Sequence, residues 1–145
     1  MGQGSIIGYE INEKTCQISF YNEKDLEPDT LEVDTDNYQI PLIIGKLRDT
    51  WAYGKEAKRL VTIKDGFTAT RLLSKSLAGD KIEFGEETYD AVWLLSQFIQ
   101  MSLQSFPEID GIVFTVPSLS EEMAQMLRGI AVRLSLIHIS EPTRH

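Results

Sequence analysis

The chain opens on two short apolar runs separated by a polar tip. In Ser5 to Phe20, SIIGYEINEKTCQISF, Ile6, Ile7, Tyr9 and Ile11 come before Asn12-Glu13-Lys14. Thr15, Cys16, Ile18 and Phe20 then resume the pattern. Two such runs around a polar turn predict a β-hairpin. Residues 22–36, NEKDLEPDTLEVDTD, are acidic and turn-rich, and fit a hairpin extension or loop. Tyr38 to Leu47, YQIPLIIGKL, predicts a buried strand whose Pro41 confines its early part to an edge or start. Thr50 to Tyr53 predicts a short strand before Gly54, and Gly54 to Arg59 a helix start.

Leu72, Leu73 and Leu77 recur at helical spacing, so Phe67 to Ala78 is expected to be helical and to stop at Gly79. Lys81 to Phe84 is expected as a short strand before Gly85. Glu86 to Phe106 is the longest helical pattern, with a polar stripe of Glu86, Asp90, Gln97, Gln100 and Gln104. A helix apolar around most of its circumference is packed on more than one side. The continuous apolar run Ile112 to Val116 predicts a central strand covered on both faces. Ser118-Leu119-Ser120-Glu121 supplies a capping box, or Ser120 alone the N-cap, of a helix lined by Met123, Met126, Leu127 and Ile130. Antiparallel strands first and a helix–strand–helix ending give an α/β domain with a mixed sheet.

Composition narrows the partners. A net charge of −8 disfavours non-specific binding to nucleic acid or an anionic membrane, because both are polyanions. The single Cys16 lies in a strand pattern and is expected to be a buried structural thiol. No apolar run approaches the ~20 residues of a transmembrane helix, and no signal peptide opens the chain. Met1-Gly2 is followed by Ile6 where myristoylation wants Ser or Thr. A cytoplasmic location is expected. The acidic residues of 22–36 lack the Asp/Asn/Gly spacing of a calcium loop and are expected to form a solvated edge.

Three segments in order carry a resemblance. They are the first hairpin, Ile40-Pro41-Leu42 followed by Gly54-Lys55-Glu56-Ala57-Lys58, and Asp110-Gly111-Ile112-Val113-Phe114-Thr115-Val116-Pro117-Ser118 before the helix from Glu121. Over about Ile6 to Val132 the chain resembles the first subdomain of the actin and DnaK-type chaperone ATPase superfamily. It is also similar to an uncharacterised bacterial family whose N-terminal part is chaperone-ATPase-like. The resemblance implies a partial ribonuclease H-like (actin-like ATPase) first subdomain, a mixed sheet with flanking helices.

The resemblance also implies a site. The family's first hairpin cradles ATP phosphates with a run like G-I-D-L-G-T-T, and here the matching run is Gly8 to Thr15. Glu10 stands where the family holds a magnesium-bound water with Asp. Asn12 replaces a glycine but tolerates positive φ. Glu13 places a carboxylate at the cradle's tip, where each pair of unit charges at ~4 Å costs about 4 kcal/mol at an effective dielectric of ~20. Lys14 could offset that charge, and Thr15 could supply a hydroxyl. Glu10, Asn12, Glu13, Lys14 and Thr15 are therefore either a modified phosphate loop or a polar hairpin tip. Lys58 is expected to be a surface helix lysine. Trp51, Tyr53 and Trp93 are expected in the core or at a subdomain contact.

Leu134 to Arg144, LSLIHISEPTR, resembles the translation of a sequencing adapter at every position. Ile139 to Thr143 also resembles the I-N-E-P-T segment of DnaK-type chaperones, but the connection from the preceding helix is too short for that pattern. The expected division is a truncated actin-like first-lobe domain over 1–133 and a non-native tail over 134–145. Both histidines lie in the tail, so no general base or metal ligand of that type is expected in the domain.

Two functions follow. In the first, implied by the resemblance, the chain is expected to be the N-terminal fragment of a chaperone-like nucleotide-binding protein, with ATP and Mg²⁺ bound by the full-length parent rather than tightly by this part. Alternatively it is a degenerate actin-fold scaffold or protein-interaction module. In both, its first partner is the missing second lobe of the same protein, and no catalytic residue is assigned.

Overall fold

The computed structural model describes residues 5–21, 29–30, 38–106, 108–134 and 143–144. In chain order the elements are β1 (Ser5–Ile11), β2 (Thr15–Tyr21), β3 (Asp29–Thr30), β4 (Gln39–Pro41), β5 (Ile44–Leu47) and β6 (Thr50–Tyr53). Helix α1 (Lys55–Arg59) tightens into a 3₁₀ turn at Leu60–Thr62. Then come β7 (Gly66–Ala69), α2 (Leu72–Ala78), β8 (Lys81–Phe84), β9 (Glu87–Asp90), α3 (Ala91–Ser102), β10 (Ile109–Val116), α4 (Glu121–Arg133) and β11 (Thr143–Arg144). The fold is α/β with a mixed sheet and flanking helices. Its residues form two compact units, one of 1–12, 16–39 and 104–145 and the other of 13–15 and 40–103.

The first unit is built on a sheet ordered β11-β10-β1-β2-β3. β1 is antiparallel to β2 and parallel to β10. Alternation in β1 sends Ile7, Tyr9 and Ile11 to one buried face. In register beside them lie Ile112 and Phe114 on β10, and Ile18 and Cys16 on β2. Tyr9 and Phe114 meet edge to face at 5.7 Å. The Cys16 thiol donates to the Tyr9 hydroxyl at 3.7 Å, and burial pushes its pKa up to about 12. The structural thiol expected from the strand pattern is therefore what is found. Helix α4 starts at Ser120, whose hydroxyl accepts from the Met123 N–H at 3.0 Å. Met123, Leu127 and Ile130 are its buried stripe. Thr143 and Arg144, within the stretch expected to be a non-native tail, run parallel to β10 opposite Thr115 and Val116.

In the second unit β5 is flanked by β6 and β7, both antiparallel. A tight turn with Arg48 at φ 57 joins β5 to β6. Gly45 lets β5 close on β7, because a Cβ there would lie 2.8 Å from the Phe67 carbonyl oxygen. The single strand expected over Tyr38 to Leu47 is interrupted at Leu42 and Ile43, where the Ile43 N–H turns back to the Pro41 carbonyl.

Two expected helices are shorter than their periodicity suggests. Phe67 to Ala69 belongs to strand β7, and α2 begins only at Leu72, after Arg71 at φ 54. Gly79 at φ 72 ends α2, as expected. Glu86 to Asp90 is not helical. Gly85 at φ 67 opens a two-residue turn that pairs Phe84 with Glu87, and β8 and β9 form a hairpin. Helix α3 begins after Asp90 and ends at Ser102 rather than Phe106. Its buried Leu94, Leu95, Phe98 and Ile99, with Ala91 and Ser102, recur at helical spacing on one broad face, and Trp93 opposite them is exposed, so the helix is packed less fully around its circumference than the apolar pattern suggested. Most of residues 22–36 lies outside the described residues; within it, β3 pairs with β2 at Thr30 and Asp29.

Candidate functional site

The tip expected to cradle phosphate is short and polar, and its geometry turns on one carboxylate. Glu10 is exposed near the end of β1, in register with Gln17 on β2 and Thr115 on β10. Asn12 is half-buried and belongs to the first unit. Glu13, Lys14 and Thr15 belong to the second, with Glu13 and Thr15 half-buried and Lys14 exposed. The Lys14 carbonyl accepts from the Leu42 N–H at 2.8 Å.

Both Glu13 carboxylate oxygens are engaged by Ser74. The Ser74 backbone N–H donates to Oε1 at 2.8 Å and the Ser74 hydroxyl donates to Oε2 at 2.7 Å. Ser74 is the third residue of α2, whose first N–H groups have no intrahelical partner. Arg71, before the helix, makes no side-chain cap. Glu13 therefore caps α2 from 61 residues away in sequence. A capping carboxylate contributes about 1 kcal/mol. The repulsive group of the sequence reading thus has a structural partner, and Ser74 is the residue the reading missed. Nothing in Leu72-Leu73-Ser74 signals such a partner, because the contact joins segments far apart in the chain.

A second polar constellation lies among aromatic rings of the same unit. Lys46 donates to Glu87 Oε1 at 2.9 Å and to the Tyr89 hydroxyl at 3.1 Å. The Tyr89 hydroxyl donates to the same Glu87 oxygen at 3.0 Å. The Lys46 ammonium also lies 5.2 Å from the Trp51 ring centre and 5.7 Å from that of Tyr89, within cation–π range. Glu87 first, then Tyr89, holds the Lys46 ammonium above the usual lysine range. In turn Lys46, then Tyr89, lowers the Glu87 carboxyl. Trp51 touches Phe84, Tyr89 and Trp93, and Phe67 stacks on Phe84 at 5.6 Å.

Trp93 is 37% exposed and Trp51 and Tyr53 are half-buried, so the three aromatics expected in the core or at a subdomain contact are partly covered within this unit. Tyr53 packs edge to face on Phe98 at 5.6 Å. Lys58 is an exposed residue of α1, as expected. Among the described residues no three His, Cys, Asp or Glu side chains converge as metal ligands. No helix there is long and apolar enough to cross a membrane.

Residues 27–138 match the family of unknown function (DUF5716) C-terminal. The chain belongs to this family. Comparison with curated proteins finds no match. The DUF5716 match takes in the Lys46 cluster, Ser74 and all of α4, and begins after the Glu10 to Thr15 tip. It also reaches five residues into the stretch expected as a non-native tail.

Proposed function

We propose that this DUF5716 chain is a scaffold or protein-interaction module on a ribonuclease H-like, actin-type half-sheet that does not hydrolyse nucleotide. The observation that carries the reading is the double hydrogen bond from Ser74 to Glu13. A phosphate cradle needs backbone N–H groups presented to an anion, with no carboxylate between them. Here a carboxylate stands at the tip and is fixed in place as a helix cap. Releasing it would cost both hydrogen bonds, and leaving it would repel the phosphates.

The actin-type part of the reading rests on strand order. β10-β1-β2-β3, with β1 parallel to β10 and antiparallel to β2, is the order that a ribonuclease H-like half-sheet would have. The partner proposed is the missing second lobe of the same protein.

The test is calorimetric titration of the chain, and of any longer parent carrying it, with ATP and Mg²⁺. The reading expects no saturable heat. Stoichiometric binding that Glu10→Ala abolishes would restore the phosphate-loop function.

A further inference from the structure

The contact that closes the Glu13 tip is made by a hydroxyl that can be modified. Ser74 is exposed, and so is Arg71, three residues before it. Arg-Leu-Leu-Ser is the spacing that serine kinases with an acidic substrate groove select. The acceptor oxygen lies in the third residue of the seven-residue α2, and Arg71 immediately precedes that helix in the left-handed region. Leu72 and Leu73, between Arg71 and Ser74, are buried, so presenting the segment in an extended kinase groove requires local opening of α2.

We infer that Ser74 is a phosphorylation site and that its phosphate releases Glu13. In the transfer, Ser74 Oγ attacks the γ-phosphorus of ATP. The bond from that phosphorus to the bridging oxygen breaks and ADP leaves. The hydroxyl proton passes to the kinase's carboxylate base. The product has lost the O–H that donates to Glu13 Oε2 at 2.7 Å and carries nearly two negative charges in its place. Like charges at that separation repel, while Arg71 and Lys75 are the nearest cations along the chain. The phosphate therefore exchanges a carboxylate neighbour for basic ones. The hydrogen bond from the Leu42 N–H to the Lys14 carbonyl does not involve the modified hydroxyl.

Thr62 provides an internal comparison. It too follows an arginine by three residues, Arg59, but its hydroxyl reaches only the Arg59 carbonyl at 3.4 Å. Phosphate there has no distant carboxylate to displace.

The experiment uses the full chain, an arginine-directed serine kinase and ATP, with the site mapped by mass spectrometry and backbone amide exchange followed by peptide. Expected are phosphate on Ser74, incorporation lowered about tenfold in Arg71→Ala, and faster exchange over residues 13–16 in the phosphorylated chain. Glu13→Gln removes the repelling charge, so in that background phosphorylation should change the exchange of the tip much less. Phosphate only at Thr62 or elsewhere overturns the assignment. So does phosphate on Ser74 that leaves exchange of the tip unchanged. This inference stands on the Glu13–Ser74 contact and holds whether or not nucleotide binds.

Discussion

The Lys46 ammonium sits 2.9 Å from Glu87 Oε1 while facing the Trp51 ring at 5.2 Å. One strand of the β5–β6 hairpin is thereby tied to the turn end of the β8–β9 hairpin by charge and aromatic surface together. The Lys46 side chain is largely covered, whereas Glu87 is open to solvent. Lys46→Met should keep the aliphatic packing but lose the ammonium. The expected outcome is a lower melting temperature and a shifted tryptophan emission, since both tryptophans lie in this cluster. Unchanged emission would mean that Trp51 does not sense Lys46.

The same pair sets a pH dependence. Glu87 has a depressed carboxyl, so its contribution is present above the ordinary value of 4.5 and lost as pH falls through the lower folded value. Lys46 is raised, so its contribution is intact below 10.5 and lost as pH rises beyond that through its higher folded value. Glu87→Gln should flatten the acid limb of a melting-temperature profile measured below pH 4.5, relative to wild type.

Helix caps are separable from the core. Ser120→Ala removes the acceptor of the Met123 N–H and should cost about 1 kcal/mol in urea unfolding. Glu13→Ala should cost a similar amount, about 1 kcal/mol, through α2. Restoring one acceptor with Glu13→Gln should recover part of it.

Gly45→Ala should be destabilising by about 1–3 kcal/mol, since the new methyl meets backbone oxygen rather than a side chain that can swing away. Gly8→Ala is the control. Its new methyl would meet only the Ser19 hydroxyl, which can rotate. Chemical denaturation of the two variants should rank them in that order.

Cys16 should resist alkylation in the native chain and react once unfolded, because burial holds the thiol up to about 12 and the thiolate is the nucleophile. Rapid labelling at neutral pH without denaturant would contradict its buried placement beside Tyr9.

The first hairpin, the α4 start at Ser120 and the Gly79 stop were legible because each depends on local chemistry: alternation, a hydroxyl cap and a left-handed glycine. The β8–β9 hairpin was not. Glu86, Asp90 and the apolar residues beyond them fit a helical period, and only the positive φ of Gly85 and the pairing of Tyr89 with Ile82 decide for strand. The candidate tip was legible as a place but not as a geometry. Its chemistry depends on Ser74, and a contact across 61 residues leaves no trace in either segment's pattern. Lys46, Glu87 and Tyr89 were missed for the same reason: their meeting follows from sheet and hairpin packing, not from spacing.

The central claim is that Glu13 serves α2 rather than a bound phosphate. It is tested most directly by thermal unfolding of wild type and Glu13→Gly, each with and without ATP and Mg²⁺. The account predicts a lower melting temperature for Glu13→Gly and no nucleotide shift in either protein. A ligand at 100 times its dissociation constant stabilises by about 2.7 kcal/mol. A nucleotide-dependent rise of that order in wild type would contradict the account.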